Sequence, residues 1–143
     1  MLRPGDVLLL GADRVKDSAV LERAYDDRDG VTAQINLNVR TVLNRRLAAD
    51  FDPRQFRHRA IYNRQAQRIE MYLEARQAQQ VRIGALDIEL TLAAGERIRT
   101  ELSHKYTPQT LEQLLAPAGF LVEELLTTAA PNTYSLVLAR ACE

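Results

Sequence analysis

Cysteine is nearly absent from this 143-residue sequence: Cys142, beside the C-terminus, stands alone. A disulfide framework is excluded, and no Cys or His neighbour lies at metal-ligand spacing from it. It also lacks the partners of a nucleophile and reads as an exposed thiol. Glycine is scarce as well, with six residues and no GxG pair, so no glycine-rich turn is available for close approach to a cofactor. There is no excess of charge of either sign. Nineteen Lys and Arg balance nineteen Asp and Glu, which favours neither a polyanion such as nucleic acid nor a membrane surface as partner. No apolar run approaches the roughly 20 residues of a membrane span. The opening Met1-Leu2-Arg3-Pro4-Gly5-Asp6 places a charge, a Pro and a Gly before any apolar stretch, unlike a secretory leader. Internal repeats and low-complexity segments are missing too. A cytoplasmic protein with no metal is the expectation.

What is present is a core. Hydrophobic residues make up 46 %, enough for one packed domain rather than a disordered chain. After the turn Pro4-Gly5-Asp6, the run Val7-Leu8-Leu9-Leu10 ends at Gly11. Its lack of alternation predicts a strand buried on both faces, as in a parallel sheet covered by helices. Asp17-Ser18 offers a helix start, with Val20, Leu21, Ala24 and Tyr25 at helical spacing. The polar stretch 26–30 breaks the pattern. The clearest helix then spans about 31–49, with Val31, Ile35, Val39, Val42, Leu43 and Leu47 predicted on its apolar face and Arg40, Asn44 and Arg45 largely elsewhere. Asp50-Phe51-Asp52-Pro53 closes it.

The period then changes to two. Ile69, Met71, Leu73 and Ala75 share one face of a strand, and Glu70, Tyr72 and Glu74 the other. Short strands follow over 80–83, 86–92 and 96–103, with a turn at Ala93-Ala94-Gly95, so this middle section reads as antiparallel. Thr107 caps a helix whose first position is Pro108 and whose end is Gly119. Two apolar strands, 120–128 and 134–139, follow, joined through a turn that contains Pro131. The organisation is α/β at both ends with an α+β insertion. Three end strands are few for a sheet with helices on both faces. The expectation is that preceding sequence, or another chain, supplies the rest.

Several segments in order resemble one family: 2–11 with its turn and strand; Ala24-Tyr25-Asp26-Asp27 with Gly30-Val31-Thr32-Ala33 and Asn36-Leu37-Asn38; Phe56-Arg57-His58-Arg59-Ala60; Arg68-Ile69-Glu70-Met71; Val81-Arg82-Ile83; and Glu101-Leu102-Ser103-His104-Lys105-Tyr106. The resemblance, which covers almost the whole chain, is to the S-adenosylmethionine-dependent histidine Nα-methyltransferases of ergothioneine biosynthesis and their fungal relatives. It implies a seven-strand, Rossmann-like methyltransferase sheet represented by 1–24 and 107–143, interrupted by a substrate-recognition insertion at 25–106. It implies transfer of methyl groups from S-adenosylmethionine to the α-amine of histidine. The family's cofactor site lies upstream of everything here, so the isolated chain is expected to be inactive without an N-terminal half. The alternative is a truncated, non-catalytic module that binds an amino acid, self-associates or associates with such a half.

Candidate residues read two ways. Glu101 and Ser103 lie two apart on a predicted strand and share a face. Spacing alone favours a solvent-facing polar pair; the resemblance places both at the imidazole of bound histidine, where the carboxylate accepts a ring N–H and the hydroxyl serves the other nitrogen. Tyr25 alone reads as an amphipathic cap on the core edge, and by resemblance donates to the substrate carboxylate. Met71 by pattern is core, and by resemblance lines the pocket near the ring. Thr32 by resemblance makes a water-mediated substrate contact. Asn36 and Asn38 read as solvent-facing, His58 and His104 as ordinary histidines, and Lys105 and Arg99 as parts of a solvated face. No residue is assigned a catalytic role.

Overall fold

The computed structural model describes residues 3–128 and 133–142. The turn expected around Pro131 lies outside them. The chain divides into two compact units: Met1–Asp17, Gln65–Gln67 and His104–Glu143 in one, Ser18–Arg64 and Arg68–Ser103 in the other. The class is α/β, with mostly antiparallel sheets.

In the first unit, β1 (Val7–Asp13), β7 (Phe120–Thr127) and β8 (Tyr134–Ala141) form a sheet in the order β1-β8-β7, and α3 is Pro108–Leu115. Both pairings are antiparallel, with Val7 opposite Arg140 and Asp13 opposite Tyr134 at the two ends of the β1–β8 ladder. The expectation of a parallel strand buried on both faces is therefore corrected. Leu8, Leu10 and Ala12 pack with Val137, Ala139 and the α3 residues Leu111 and Leu115. Val7 and Leu9 are exposed, as are Leu121, Leu126 and Leu136. The continuous apolar run arises because both faces of the sheet are apolar, although only one is covered among the described residues. α3 begins as its sequence dictates: the Thr107 hydroxyl accepts from the Thr110 amide, Thr110 reciprocates at the Thr107 amide, and Pro108 needs no donor. Gly119, at φ 81°, ends the 3-10 turn that extends α3, in the left-handed conformation that glycine tolerates.

The second unit holds α1 (Ser18–Tyr25), α2 (Val31–Leu47), and the strands β2 (Phe56–Asn63), β3 (Arg68–Ala75), β4 (Gln79–Ile83), β5 (Ile88–Leu92) and β6 (Arg97–His104). The order β2-β3-β6 makes one sheet and β4-β5 a separate hairpin. β2, to which no strand was assigned from sequence, pairs antiparallel with β3 from Phe56 opposite Ala75 to Asn63 opposite Arg68. One core cluster gathers Phe51, Phe56, Leu73, Val81, Ile83 and Leu92, with Leu37, Leu43 and Leu47 of α2 packed against it. A second gathers Leu21, Tyr62, Ile69 and Met71, with Tyr25 and Ala60 at its margin.

Helix α2 departs most from its pattern. Its buried residues are Asn36 and Arg40, while Val31, Ile35, Val39 and Val42 are exposed. The predicted apolar face is therefore split: Leu43 and Leu47 pack inward, and the β-branched residues face out. Arg40 and Asn44 are satisfied where they lie. Arg40 Nε donates to the Leu37 carbonyl at 2.8 Å and its Nη1 donates to the Pro53 carbonyl. The guanidinium also lies over the Phe56 ring, 5.8 Å from its centroid. The Asn44 side chain both donates to the Phe51 carbonyl and accepts from its amide, at 2.8 and 2.9 Å. Those bonds replace the apolar burial that the spacing of the valines suggests.

Candidate functional site

Tyr25 is the last residue of α1, where the chain enters the polar stretch that ends the helix. Its ring packs at the edge of the Leu21, Tyr62, Ile69 and Met71 cluster. Its phenol reaches Ser103 Oγ at 2.7 Å, and either hydroxyl can donate. The structure thus brings together two of the five expected residues, from α1 and from β6. Along β6, exposure alternates up to Thr100; Glu101 and Leu102 are then both exposed and Ser103 is half-buried. Glu101 and Ser103 therefore differ in exposure although they lie two apart. Among the described residues the Glu101 side chain makes no hydrogen bond or ion pair, which leaves its carboxylate available.

Met71 is 4 % exposed and sits in the cluster that Tyr25 borders. Thr32 lies in the first turn of α2, where its amide donates to Asp27 Oδ1 at 2.8 Å while the Val31 amide donates to Oδ2 at 2.9 Å. The two amides and the Thr32 hydroxyl hold the Asp27 carboxyl down at about 2, well below the ordinary 3.8. An anion at a helix N-terminus meets unpaired N–H groups and the positive end of the peptide dipoles, so α2 starts at this point.

Sequence reasoning missed the group behind Tyr25. Asn36, read as solvent-facing, is 2 % exposed. Its amide nitrogen lies 2.9 Å from His58 Nδ1 and 3.0 Å from the Tyr72 carbonyl. His58 Nε2 lies 2.8 Å from the Tyr25 carbonyl. The available signal was an Asn in a helix interior, where it is a poor helix former and needs a reason to be there. Lys105, assigned to a solvated face, is instead fully buried and paired to Asp13 at 2.8 Å. Its amide bond to the Gln67 carbonyl and the neighbouring Tyr106–Asp13 bond draw it inward. Asn38, Arg99 and Cys142 are exposed as read from sequence, and His104 is exposed as well.

A second polar constellation lies on the sheet. The Glu74 side chain, 3 % exposed, is bound by Arg57, by Arg97 at 2.8 Å and by Arg59 at 3.6 Å. The hydrogen bonds from Arg97 and Arg57 hold its carboxyl below the ordinary range. Glu70 accepts from the Tyr72 phenol and pairs with Arg68 at 2.7 Å. The phenol bond lowers the Glu70 pKa and raises that of Tyr72. Each carboxylate is already saturated by its own neighbours, which is the pattern of a structural network rather than of an open site. A shallow cavity of about 350 Å3 is lined by Glu22, Arg23, Asp26, Arg59, Ala60 and Ile61; none of the five expected residues lines it.

The described residues do not fit a nucleoside cofactor. Gly11 lies within β1, and the Tyr134 ring occupies the space a Cβ would take, so this glycine serves strand packing. Gly5, Gly30, Gly95 and Gly119 adopt positive φ in turns and caps, and Gly84 approaches the Ala48 carbonyl. None forms a glycine-rich turn between a strand and a helix. Among the described residues, no helix is long and apolar enough to cross a membrane, and no group of three or more His, Cys, Asp or Glu could hold a metal.

Comparison with known proteins gives these observations a frame. The chain is 55 % identical over 118 residues to a histidine N-alpha-methyltransferase of Mycolicibacterium smegmatis, covering 82 % of this chain and 37 % of that protein. It is 55 % identical over 119 residues to a histidine N-alpha-methyltransferase of Mycobacterium tuberculosis, covering 83 % and 37 %. The chain thus spans a little over a third of the length of these relatives. Residues 1–141 match the family described as histidine-specific methyltransferase, SAM-dependent, and the chain belongs to that family.

Proposed function

We propose that this chain forms the amino-acid-substrate side of an S-adenosylmethionine-dependent enzyme that trimethylates the α-amine of histidine, in ergothioneine biosynthesis, in the cytoplasm. The observation that carries the reading is the meeting of Tyr25 and Ser103, from segments far apart in sequence, in a chain of a histidine-specific family. Tyr25 donates to the substrate carboxylate, Ser103 and Glu101 bind the imidazole, Met71 bounds the ring, and Thr32 adds a water-mediated contact. The chain contributes positioning: with carboxylate and ring held, the amine is free to face the methyl donor. The donor binds outside the described residues, on a cofactor-binding half supplied in cis or in trans. The two units would then be the late strands of a seven-strand Rossmann-like sheet and a substrate-recognition insertion. The uncovered apolar sheet face around Leu9 and Leu136 supports a place for further polypeptide.

That same face supports a second reading, a non-catalytic module that associates with itself or with such a half. One experiment separates the two. The purified chain is mixed with the part of the M. smegmatis relative that it does not cover, then assayed for labelled methyl transfer to L-histidine and for histidine binding by calorimetry. Transfer only in the mixture supports the enzyme. A mixture that assembles but neither binds nor methylates histidine rejects it in favour of the module.

A further inference from the structure

The Asn36–His58–Tyr25 chain of hydrogen bonds has one consistent proton arrangement. The Tyr25 and Tyr72 carbonyls can only accept. His58 Nε2, 2.8 Å from the first, must therefore carry a proton. The Asn36 amide group facing the second at 3.0 Å must be its NH2. Reversing that amide would set two oxygens against each other. The same NH2 points at His58 Nδ1 from 2.9 Å, so Nδ1 must be an unprotonated acceptor. This orientation holds although Asn36 Oδ1 is buried without a partner among the described residues, so the two donated bonds outweigh the one left unmade. The imidazole is thereby fixed as the neutral Nε2–H form and oriented at both nitrogens.

The carbonyl that it holds belongs to the terminal residue of α1, one of the carbonyls for which a helix end offers no internal donor. The same residue carries the phenol that meets Ser103. We infer that His58, oriented by Asn36, is a positioning residue for Tyr25: it anchors the end of α1 so that the phenol stays against Ser103. The role of that phenol in holding histidine rests on the function proposed above; the anchoring itself does not.

The test uses the full chain. A long-range 15N spectrum of the imidazole at neutral pH reads the tautomer directly, with no substitution. The expected result is a protonated Nε2 and a bare Nδ1 for His58; a protonated Nδ1 in either the neutral or the charged ring overturns the proposal. His58→Gln and His58→Asn then separate anchoring from bulk. The glutamine amide reaches the Nε2 position and keeps a donor for the Tyr25 carbonyl, whereas the asparagine amide stops short. With folding verified by circular dichroism, H58Q should leave the Tyr25 ring resonances in place and H58N should move them. In histidine titrations of the complemented chain, H58N should weaken binding about five- to tenfold and H58Q less than about twofold, the scale of one neutral hydrogen bond. Equal behaviour of the two variants overturns the proposal. If the unaltered protein takes up no histidine, the substrate reading fails on its own, and the tautomer and ring resonances still decide the anchoring.

Discussion

The phenol of Tyr25 and the hydroxyl of Ser103 lie 2.7 Å apart across 78 residues of sequence. Two hydroxyls bonded to each other engage one another's donor and acceptor capacity at a half-buried position. Under the function proposed above, a zwitterionic ligand would open that bond, the phenol turning its proton to the carboxylate and the serine turning to a ring nitrogen. The exchange replaces a neutral hydrogen bond with charge-assisted ones, which are shorter and stronger.

Glu101 is exposed and its side chain has no partner to lose among the described residues, so Glu101→Ala should leave the thermal midpoint of the chain unchanged. In the complemented enzyme it should weaken histidine binding by about 1.5–3 kcal/mol, the worth of a hydrogen bond to a charged group. Calorimetric titration checks this, and an unaltered affinity removes Glu101 from the site.

Glu74 stands among Arg57, Arg59 and Arg97, and its carboxyl is held below its ordinary 4.5. A depressed folded-state value contributes stability that is present above the unfolded value of about 4.5 and is lost as pH falls through the folded one. Glu74→Gln should melt several degrees below the unaltered chain at neutral pH, and the gap should close as pH drops below 4.5. A gap independent of pH in that range would show that the network's charge is not what stabilises the sheet.

Asp27 holds the first turn of α2 with a carboxyl at about 2. Its contribution is present above the unfolded value of about 3.8 and is lost as pH falls through about 2. Hydrogen exchange at pH 3–4 should show the Val31 and Thr32 amides protected in the unaltered chain and open in Asp27→Ala, with amides in the middle of α2 little changed. Equal protection in both proteins refutes the capping role.

Leu9 is 62 % exposed on the face of the β1-β8-β7 sheet that no described residue covers. Leu9→Glu should leave the melting curve of the chain nearly unchanged while weakening its association with itself or with a complementing half, read by sedimentation velocity. Undiminished association would place the contact elsewhere.

Much of the fold was legible in the sequence, for reasons visible in particular elements. The residue types of β3 alternate from Arg68 to Ala75, although Glu70 and Glu74 are buried along with the apolar face, and Thr107-Pro108 announces α3 through capping chemistry alone. Two readings failed where polar groups took positions that periodicity assigns to apolar ones. β2 turns Phe56, His58, Ala60 and Tyr62 toward the core side, and a histidine in that row hides the strand. α2 buries Asn36 and Arg40 through long-range bonds to residues on other elements, and no spacing rule contains that information. The hydroxyl pair belongs to the same class: the resemblance named Tyr25 and Ser103, but only the fold brings them into contact.

The β1-β8-β7 order has a consequence for how the protein is made. The β1 ladder is closed by β8, with Arg140 reaching back to the Gly5 carbonyl across 135 residues. During synthesis on the ribosome, the whole of Ser18–Ser103 emerges while the strand that β1 needs does not yet exist. The second unit can acquire its core while the β8 side of β1 is still unpaired, the period in which a nascent chain most needs a chaperone.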